Sequence, residues 1–454
     1  MEHTAQTYSE HRRAIWMLGG PLIASQVAQF LIHMTDTIML GWYDVTALAA
    51  VTLGSTMYFV TFIVGAGFAF AVTPMVAAAA EADDEAQVRR VTRMGLWLSI
   101  AYGLLFTLPF MWSEQILLAI GQDAVVAAMA HDYLVIAAWQ MVPALMAMTL
   151  KSYLAALEYT AIILWATLGT ALMNVVVNYA LIFGNFGAPE MGIQGAAIAS
   201  LFVTFATVVI LVLYGLRKLP QYKLLQNVWK PDGEILRRVF QLGWPIGLTS
   251  LAEGGLFTAS AIMMGWIGPI ELAAHGIAIQ LASLTFMVHL GFSQAATIRA
   301  GRALGRGDEI NLRRGAKMAI GMSTVFAIAT MAVFLLIPEP LIAVFIDPNE
   351  PEKAALLRIG ISLLAMAGLF QVVDAVQVLA LGLLRGVQDT AVPMVIATIS
   401  YWVVGLPVSY LLAFTLGMGG VGIWLGLVVG LSVAAVLMMW RFWRRSVFLT
   451  KRRD

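Results

Sequence analysis

Twelve stretches of about twenty or more apolar residues, divided by short polar breaks, run through a chain of 454 residues. A helix needs about that length to cross the hydrocarbon core of a bilayer. By hydropathy the stretches fall at 14–41, 47–75, 91–113, 125–149, 160–184, 193–216, 236–264, 271–298, 314–337, 355–381, 392–414 and 420–443. Hydrocarbon offers no water to unpaired backbone N–H and C=O groups, so each stretch must close its own hydrogen bonds as a helix. The fold class that follows is an all-α integral membrane protein with twelve transmembrane helices. Hydrophobic residues make up 60% of the chain and charged ones 12%, against about 45–50% and 25% in soluble domains. Met1–Arg13 is polar, and the apolar run behind it is too long for the core of a cleavable signal peptide. The first helix is therefore expected to stay in the membrane. The absence of cysteine excludes disulfides, thiolate metal sites and cysteine nucleophiles.

The basic residues are divided unevenly between the two ends of these helices. Of 27 Lys and Arg residues, only Lys353 and Arg358 fall at ends opposite the chain termini. Such a bias marks the cytoplasmic face, so both termini are expected in the cytoplasm.

An ungapped shift of 224 positions reveals an internal repeat. It pairs Pro21 with Pro245, Met39 with Met263, Gly41 with Gly265, Trp42 with Trp266, Leu48-Ala49-Ala50 with Leu272-Ala273-Ala274, Gly67-Phe68 with Gly291-Phe292, and Arg89-Arg90 with Arg313-Arg314. Each repeat holds six helices and starts on the same side, so the two are expected as six-helix lobes related by a pseudo-two-fold axis along the membrane normal. The boundaries read as an N-lobe at 1–216, a cytoplasmic linker at 217–235 and a C-lobe at 236–454. With Pro220, Pro231 and Gly233 among its lysines and arginines, the linker reads as a strap between lobes.

Against this apolar background, Asp36, Glu253 and Asp374 stand alone inside long hydrophobic stretches. An ionisable group in hydrocarbon costs roughly 2.5–3.5 kcal/mol or more, and such residues mark ion and substrate paths. Under the repeat, Asp36 pairs with Ser260 and Glu253 with Gln29, so the carboxylates are not symmetry mates. The two positions in each first helix are seven residues apart, which returns to one helix face about 10 Å along the axis. A hard cation such as Na⁺ takes several oxygen ligands, which a carboxylate with neighbouring amides and hydroxyls supplies. A buried carboxylate equally takes a proton, because burial penalises its charged form. An organic cation competes for the same charge, and mutual exclusion with alternating access is sufficient for antiport.

The motifs add a family resemblance. Met34-Thr35-Asp36-Thr37-Ile38-Met39-Leu40-Gly41 resembles the first-helix motif of the multidrug and toxic compound extrusion (MATE) family. Ser293-Gln294-Ala295-Ala296-Thr297-Ile298-Arg299-Ala300-Gly301-Arg302 with Leu304-Gly305, Phe370-Gln371-Val372-Val373-Asp374, and Leu384-Arg385-Gly386-Val387-Gln388-Asp389-Thr390 also resemble that family, in its bacterial NorM-type branch. The resemblance implies secondary active efflux, in which entering Na⁺ or H⁺ drives organic cationic drugs out. It implies that Asp36 in the N-lobe, and Glu253 with Asp374 in the C-lobe, bind the coupling ion. Asn174 and Asn178 match amides that join the N-lobe carboxylate, and either Ser200 or Thr204 is expected to add a hydroxyl. The chain departs from the family in two places. The turn at Thr73-Pro74 to Asp83-Asp84 lacks the glycines of its C-lobe counterpart, and Gly276 follows His275, with Gln280 one turn later as the secondary candidate.

No nucleotide-binding loop and no His-Glu-x-x-His or Gly-x-Ser-x-Gly constellation appears, so no enzyme, no cofactor beyond the coupling ion and no nucleic-acid partner are expected. A flippase of lipid-linked precursors is the first alternative, and it requires basic rather than acidic lining; an intramembrane enzyme is the second, and it requires one of the constellations missing here. The protein is expected as a monomer in the lipid bilayer. His33, His131, His275 and His289 are expected at the interfaces.

Overall fold

The structure, a computed structural model, describes residues 6–346 and 351–449. The first five residues and the basic tail residues Lys451, Arg452 and Arg453 lie outside the described residues. Among the described residues, twelve helices are long and apolar enough to cross a membrane. In chain order they are α1 (Tyr8–Tyr43), α2 (Val45–Glu81), α3 (Glu85–Phe110), α4 (Ala124–Ala156), α5 (Thr160–Phe183), α6 (Gly192–Lys218), α7 (Gly233–Ile267), α8 (Pro269–Arg306), α9 (Glu309–Leu336), α10 (Lys353–Gly386), α11 (Ala391–Thr415) and α12 (Gly419–Ser446). Many outrun their apolar windows because their polar ends are capped rather than frayed. Asp44 accepts from the Thr46 and Ala47 amides at the head of α2, and Asp123 from Val125 and Val126 at the head of α4. Such caps satisfy amides that have no partner within the helix.

The repeat is written into these turns. Asp84 caps α3 by accepting from Gln87 N at 2.8 Å, and its mate Asp308 caps α9 by accepting from Asn311 N at 3.0 Å. Just before each cap the chain takes a left-handed residue, Gly307 at φ +70° and Asp83 at φ +54°. Aspartate is one of the few side chains that tolerate this region, so the N-lobe turn keeps its shape without the missing glycine. Two short helices, Ser113–Ala119 and Pro338–Ala343, also correspond under the repeat. Apart from Ser113 at the edge of the third stretch, the apolar pattern leaves both as loop.

The chain divides into two compact units. One comprises residues 24–247, the other residues 1–23 and 248–454. These differ from lobes cut in the linker, because the division falls inside α1 and α7. The first turns of each helix pack with the other repeat, and glycines set the approach. In one unit Gly67 of α2 lies so close to α7 that a Cβ on it would meet the Gly247 Cα at 2.8 Å. In the other unit a Cβ on Gly291 of α8, the repeat mate of Gly67, would meet the Ile23 backbone N of α1 at 2.8 Å. The linker is likewise no loose strap. Arg90 of α3 bonds Asp232, and the Trp97 indole donates to the Val228 carbonyl at 2.7 Å.

In the unit of residues 24–247 the core is built from α2, α3 and α4 through Ala66, Phe110, Leu134, Ala138, Met141 and Leu145. In the other unit α12 turns Gly422, Gly426 and Gly430 against Ala413, Ser409 and Gly405 of α11. This is the small-residue stripe that lets membrane helices approach backbone to backbone. Two π-helical segments, Ile399–Gly405 and Leu411–Thr415, flank Pro407 in α11, as expected where proline removes a backbone donor.

Candidate ion and substrate site

In the unit of residues 24–247, α1 and α5 bring Asp36 and Asn178 together. The Asn178 amide donates to Asp36 Oδ1 at 2.7 Å and to Asn174 Oδ1 at 3.1 Å. The spacing of Asn174 and Asn178 puts both amides on one face of α5, one turn apart. They are 3% and 1% exposed, and Asp36 is partly buried. Asn178 Oδ1 is buried with no hydrogen-bond partner. A buried acceptor without a donor is rare in a native interior, and here it lies on an amide already joined to a carboxylate. The Tyr133 hydroxyl, which accepts from Ser55 Oγ at 3.4 Å, lies close enough to feel the Asp36 charge. Tyr133 was not singled out by sequence, because a tyrosine in an apolar helix carries no spacing signal.

Thr204 goes elsewhere. Thr204 donates its hydroxyl to the Ser200 carbonyl at 2.7 Å and accepts from Gln140 Nε2 at 3.0 Å. The candidate hydroxyl is thus spent on joining α6 to α4.

In the other unit, Glu253 of α7 and Asp374 of α10 interact electrostatically with each other. Asp374 is 2% exposed, and its Oδ1 is buried with no hydrogen-bond donor. Arg385, eleven residues further along α10, acts on Glu253 as a cation, and the Tyr401 hydroxyl feels both carboxylates. Gln377 Nε2 donates to that hydroxyl at 2.5 Å, so an amide and a phenol back the acidic pair. The motif containing Arg385 was legible, but its electrical partner was not, because Glu253 is remote in sequence. Gln280 is exposed on α8.

Two histidines correct the interfacial expectation. His289 is fully buried with its Nδ1 2.8 Å from Ser323 Oγ, and buried His275 stands edge-on to Trp424. His131 bonds Ser113 Oγ at 2.8 Å, where it joins the short helix to α4.

Chemically, each unit holds carboxylate oxygen beside amide or phenol groups, with at least one buried oxygen awaiting a donor or a cation. Oxygen sets of this kind suit a proton or a hard monovalent cation.

Comparison with known proteins fits this geometry. The MatE family model matches residues 21–180 and 245–411, two blocks that begin at the repeat-paired prolines. The probable multidrug resistance protein NorM of Rhizobium meliloti (strain 1021) is 44% identical over 442 residues, covering 96% of this chain and 94% of the relative. The protein of the same description from Agrobacterium fabrum (strain C58 / ATCC 33970) is 44% identical over 448 residues, covering 98% and 96%. Among solved structures, a MATE in complex with MaL6 matches with a TM-score of 0.89 at 20% identity, over 97% of each chain, a likeness that bears on the fold. With a family match across both repeats and near-full-length relatives at this identity, the chain belongs to the MatE family.

Proposed function

We propose that the protein is a secondary active multidrug efflux transporter, which exports organic cations in exchange for entering Na⁺ or H⁺. The observation that carries this reading is the Asp36–Asn178–Asn174 cluster, with its bonded carboxylate and spare buried amide oxygen. The acidic pair Glu253 and Asp374 is a second charge store of the same sign. Relatives named as multidrug resistance proteins favour drugs as the cargo. Acidic side chains favour cationic cargo over the pyrophosphate of a lipid-linked precursor.

The mechanism follows from competition. A carboxylate holding a proton or Na⁺ has little charge left for an organic cation, and one holding the organic cation excludes the ion. If only singly occupied forms change the side to which the site opens, the inward ion gradient drives the drug outward. Asn178 keeps the Asp36 carboxylate oriented, while its own oxygen offers a ligand to Na⁺. No further cofactor and no catalysed reaction are part of this reading. The protein acts as a monomer in the inner membrane, with the basic helix ends and both termini in the cytoplasm.

The test is transport of a fluorescent organic cation in proteoliposomes, with Na⁺ and pH gradients imposed separately. Gradient-driven movement of the dye under at least one of them is expected. Equal movement with and without both gradients contradicts antiport.

A further inference from the structure

The segment between α6 and α7 is a chain of turns held flat against α3. Lys223 and Asn227 sit at left-handed φ values of +45° and +55°. The Gln226 amide donates to the Lys223 carbonyl at 2.8 Å, and the Lys230 amide to the Asn227 carbonyl at 2.9 Å. Arg93 donates to the Asn227 carbonyl at 3.3 Å and Trp97 to the Val228 carbonyl at 2.7 Å. Trp97 stands twelve residues into a helix that starts at Glu85, roughly 18 Å along its axis. The charged residues of α3, ending at Arg93, lie behind that level, and the rest of the helix carries no charge.

The segment therefore packs on α3 at the level where the charged end of that helix gives way to its uncharged stretch. Its side chains divide accordingly. Leu219 and Leu224 are buried against the bundle, and Tyr222 meets Tyr153 edge-on. Leu225 is 50% and Trp229 88% exposed on the outer side, with exposed Lys223 and Lys230 beside them. An exposed indole at that depth matches the aromatic belts of membrane proteins, and neighbouring lysines match the anionic cytoplasmic leaflet.

We propose that residues 219–230 form an interfacial anchor, in which Trp229 and Leu225 enter the headgroup–acyl boundary and Lys223 and Lys230 engage the phosphates of anionic phospholipids. Only the naming of the leaflet rests on the orientation given above. The anchor fixes the height of α3 in the bilayer at the point where the chain passes from one repeat to the next.

Because the chain has no cysteine, Trp229→Cys and Gln221→Cys each give a single labelling site. Each variant, carrying a polarity-sensitive fluorophore, is reconstituted into phosphatidylglycerol–phosphatidylcholine vesicles. The label at 229 is expected to emit at shorter wavelength, to be quenched by a shallow lipid-borne nitroxide, and to be quenched by aqueous iodide roughly threefold less than the label at 221. In vesicles of phosphatidylcholine alone that protection is expected to fall. Equal iodide access at the two positions overturns the insertion, and equal protection in both lipid mixtures overturns the role of the lysines. The readout needs no transport, so its failure is separable from failure of the efflux reading.

Discussion

Asn178 donates to the Asp36 carboxylate at 2.7 Å and in the same contact leaves its own buried oxygen without a donor. In the proposed mechanism the carboxylate and the amide oxygen together hold the coupling ion. Asn178→Ala deletes the amide oxygen as a ligand and should therefore weaken Na⁺ binding without unfolding the protein, whereas a proton, which gains nothing from a donor to the carboxylate, should bind no more weakly. Loss of one oxygen ligand is expected to raise the Na⁺ concentration giving half-maximal efflux by about tenfold, or ~1.4 kcal/mol. Na⁺ titration of dye transport in proteoliposomes checks this, and an unchanged half-saturation point removes Asn178 from the Na⁺ site.

Asp374→Asn keeps the shape of a side chain that is 2% exposed but deletes its charge beside Glu253. Gradient-driven efflux should fall to the background of empty vesicles, while the melting temperature in detergent stays within a few degrees of wild type. A relieved like-charge pair is no burden on folding. Wild-type transport by this variant would sink the role of the acidic pair.

The crossing glycines make a steric prediction. At Gly67 any side chain must enter the backbone of α7, and at Gly291 that of α1. Gly67→Val and Gly291→Val should each destabilise by about 1–3 kcal/mol through overpacking. The repeat predicts similar losses at the two sites, read as drops in melting temperature.

Asp232 makes a pH prediction. Its hydrogen bond from Arg90 holds the carboxyl below the usual carboxylate range. A carboxylate depressed on folding contributes stability that is present above its unfolded value and lost as pH falls through the folded one. Docking of the linker on α3 should thus be intact at neutral pH and loosen only in strong acid. Hydrogen exchange of the Asn227–Asp232 amides measures it. Asp232→Asn should exchange faster at neutral pH and lose the acid dependence.

Arg441 clamps Asp389 with two bonds, at 2.8 and 3.0 Å, and Ser446 adds a third to the same carboxylate at 2.6 Å. Both charges are largely buried. Removing one partner of such a pair costs roughly 3–5 kcal/mol, so Arg441→Ala should lower thermal stability by about that amount. A thermal scan within a degree or two of wild type would contradict the clamp.

What was legible in the sequence follows the range of the forces involved. Hydrophobic length is a local property, and it located all twelve spans. The lone carboxylates, and the i,i+4 amides of α5 once the resemblance had singled them out, were visible because each sits in one helix against an apolar background. Pairing across the bundle was not visible. Nothing local at Arg441 points to Asp389, 52 residues away, and nothing at Thr204 announced that Gln140 would claim its hydroxyl. The division inside α1 and α7 was hidden for the same reason, since it depends on glycines in α2 and α8 that hydropathy treats as ordinary. The linker misled because proline and lysine read as solvent-loving, whereas its backbone carbonyls are what Arg93 and Trp97 hold.

The proposed mechanism is exchange of an inorganic cation for an organic one at carboxylates inside the membrane. Its most direct measurement is dye efflux from proteoliposomes carrying the triple variant Asp36→Asn, Glu253→Gln, Asp374→Asn, under the gradient that drives the wild type. Loss of all gradient-dependent efflux, with the purified variant still monodisperse, is the predicted result. Efflux at the wild-type rate would contradict the claim outright.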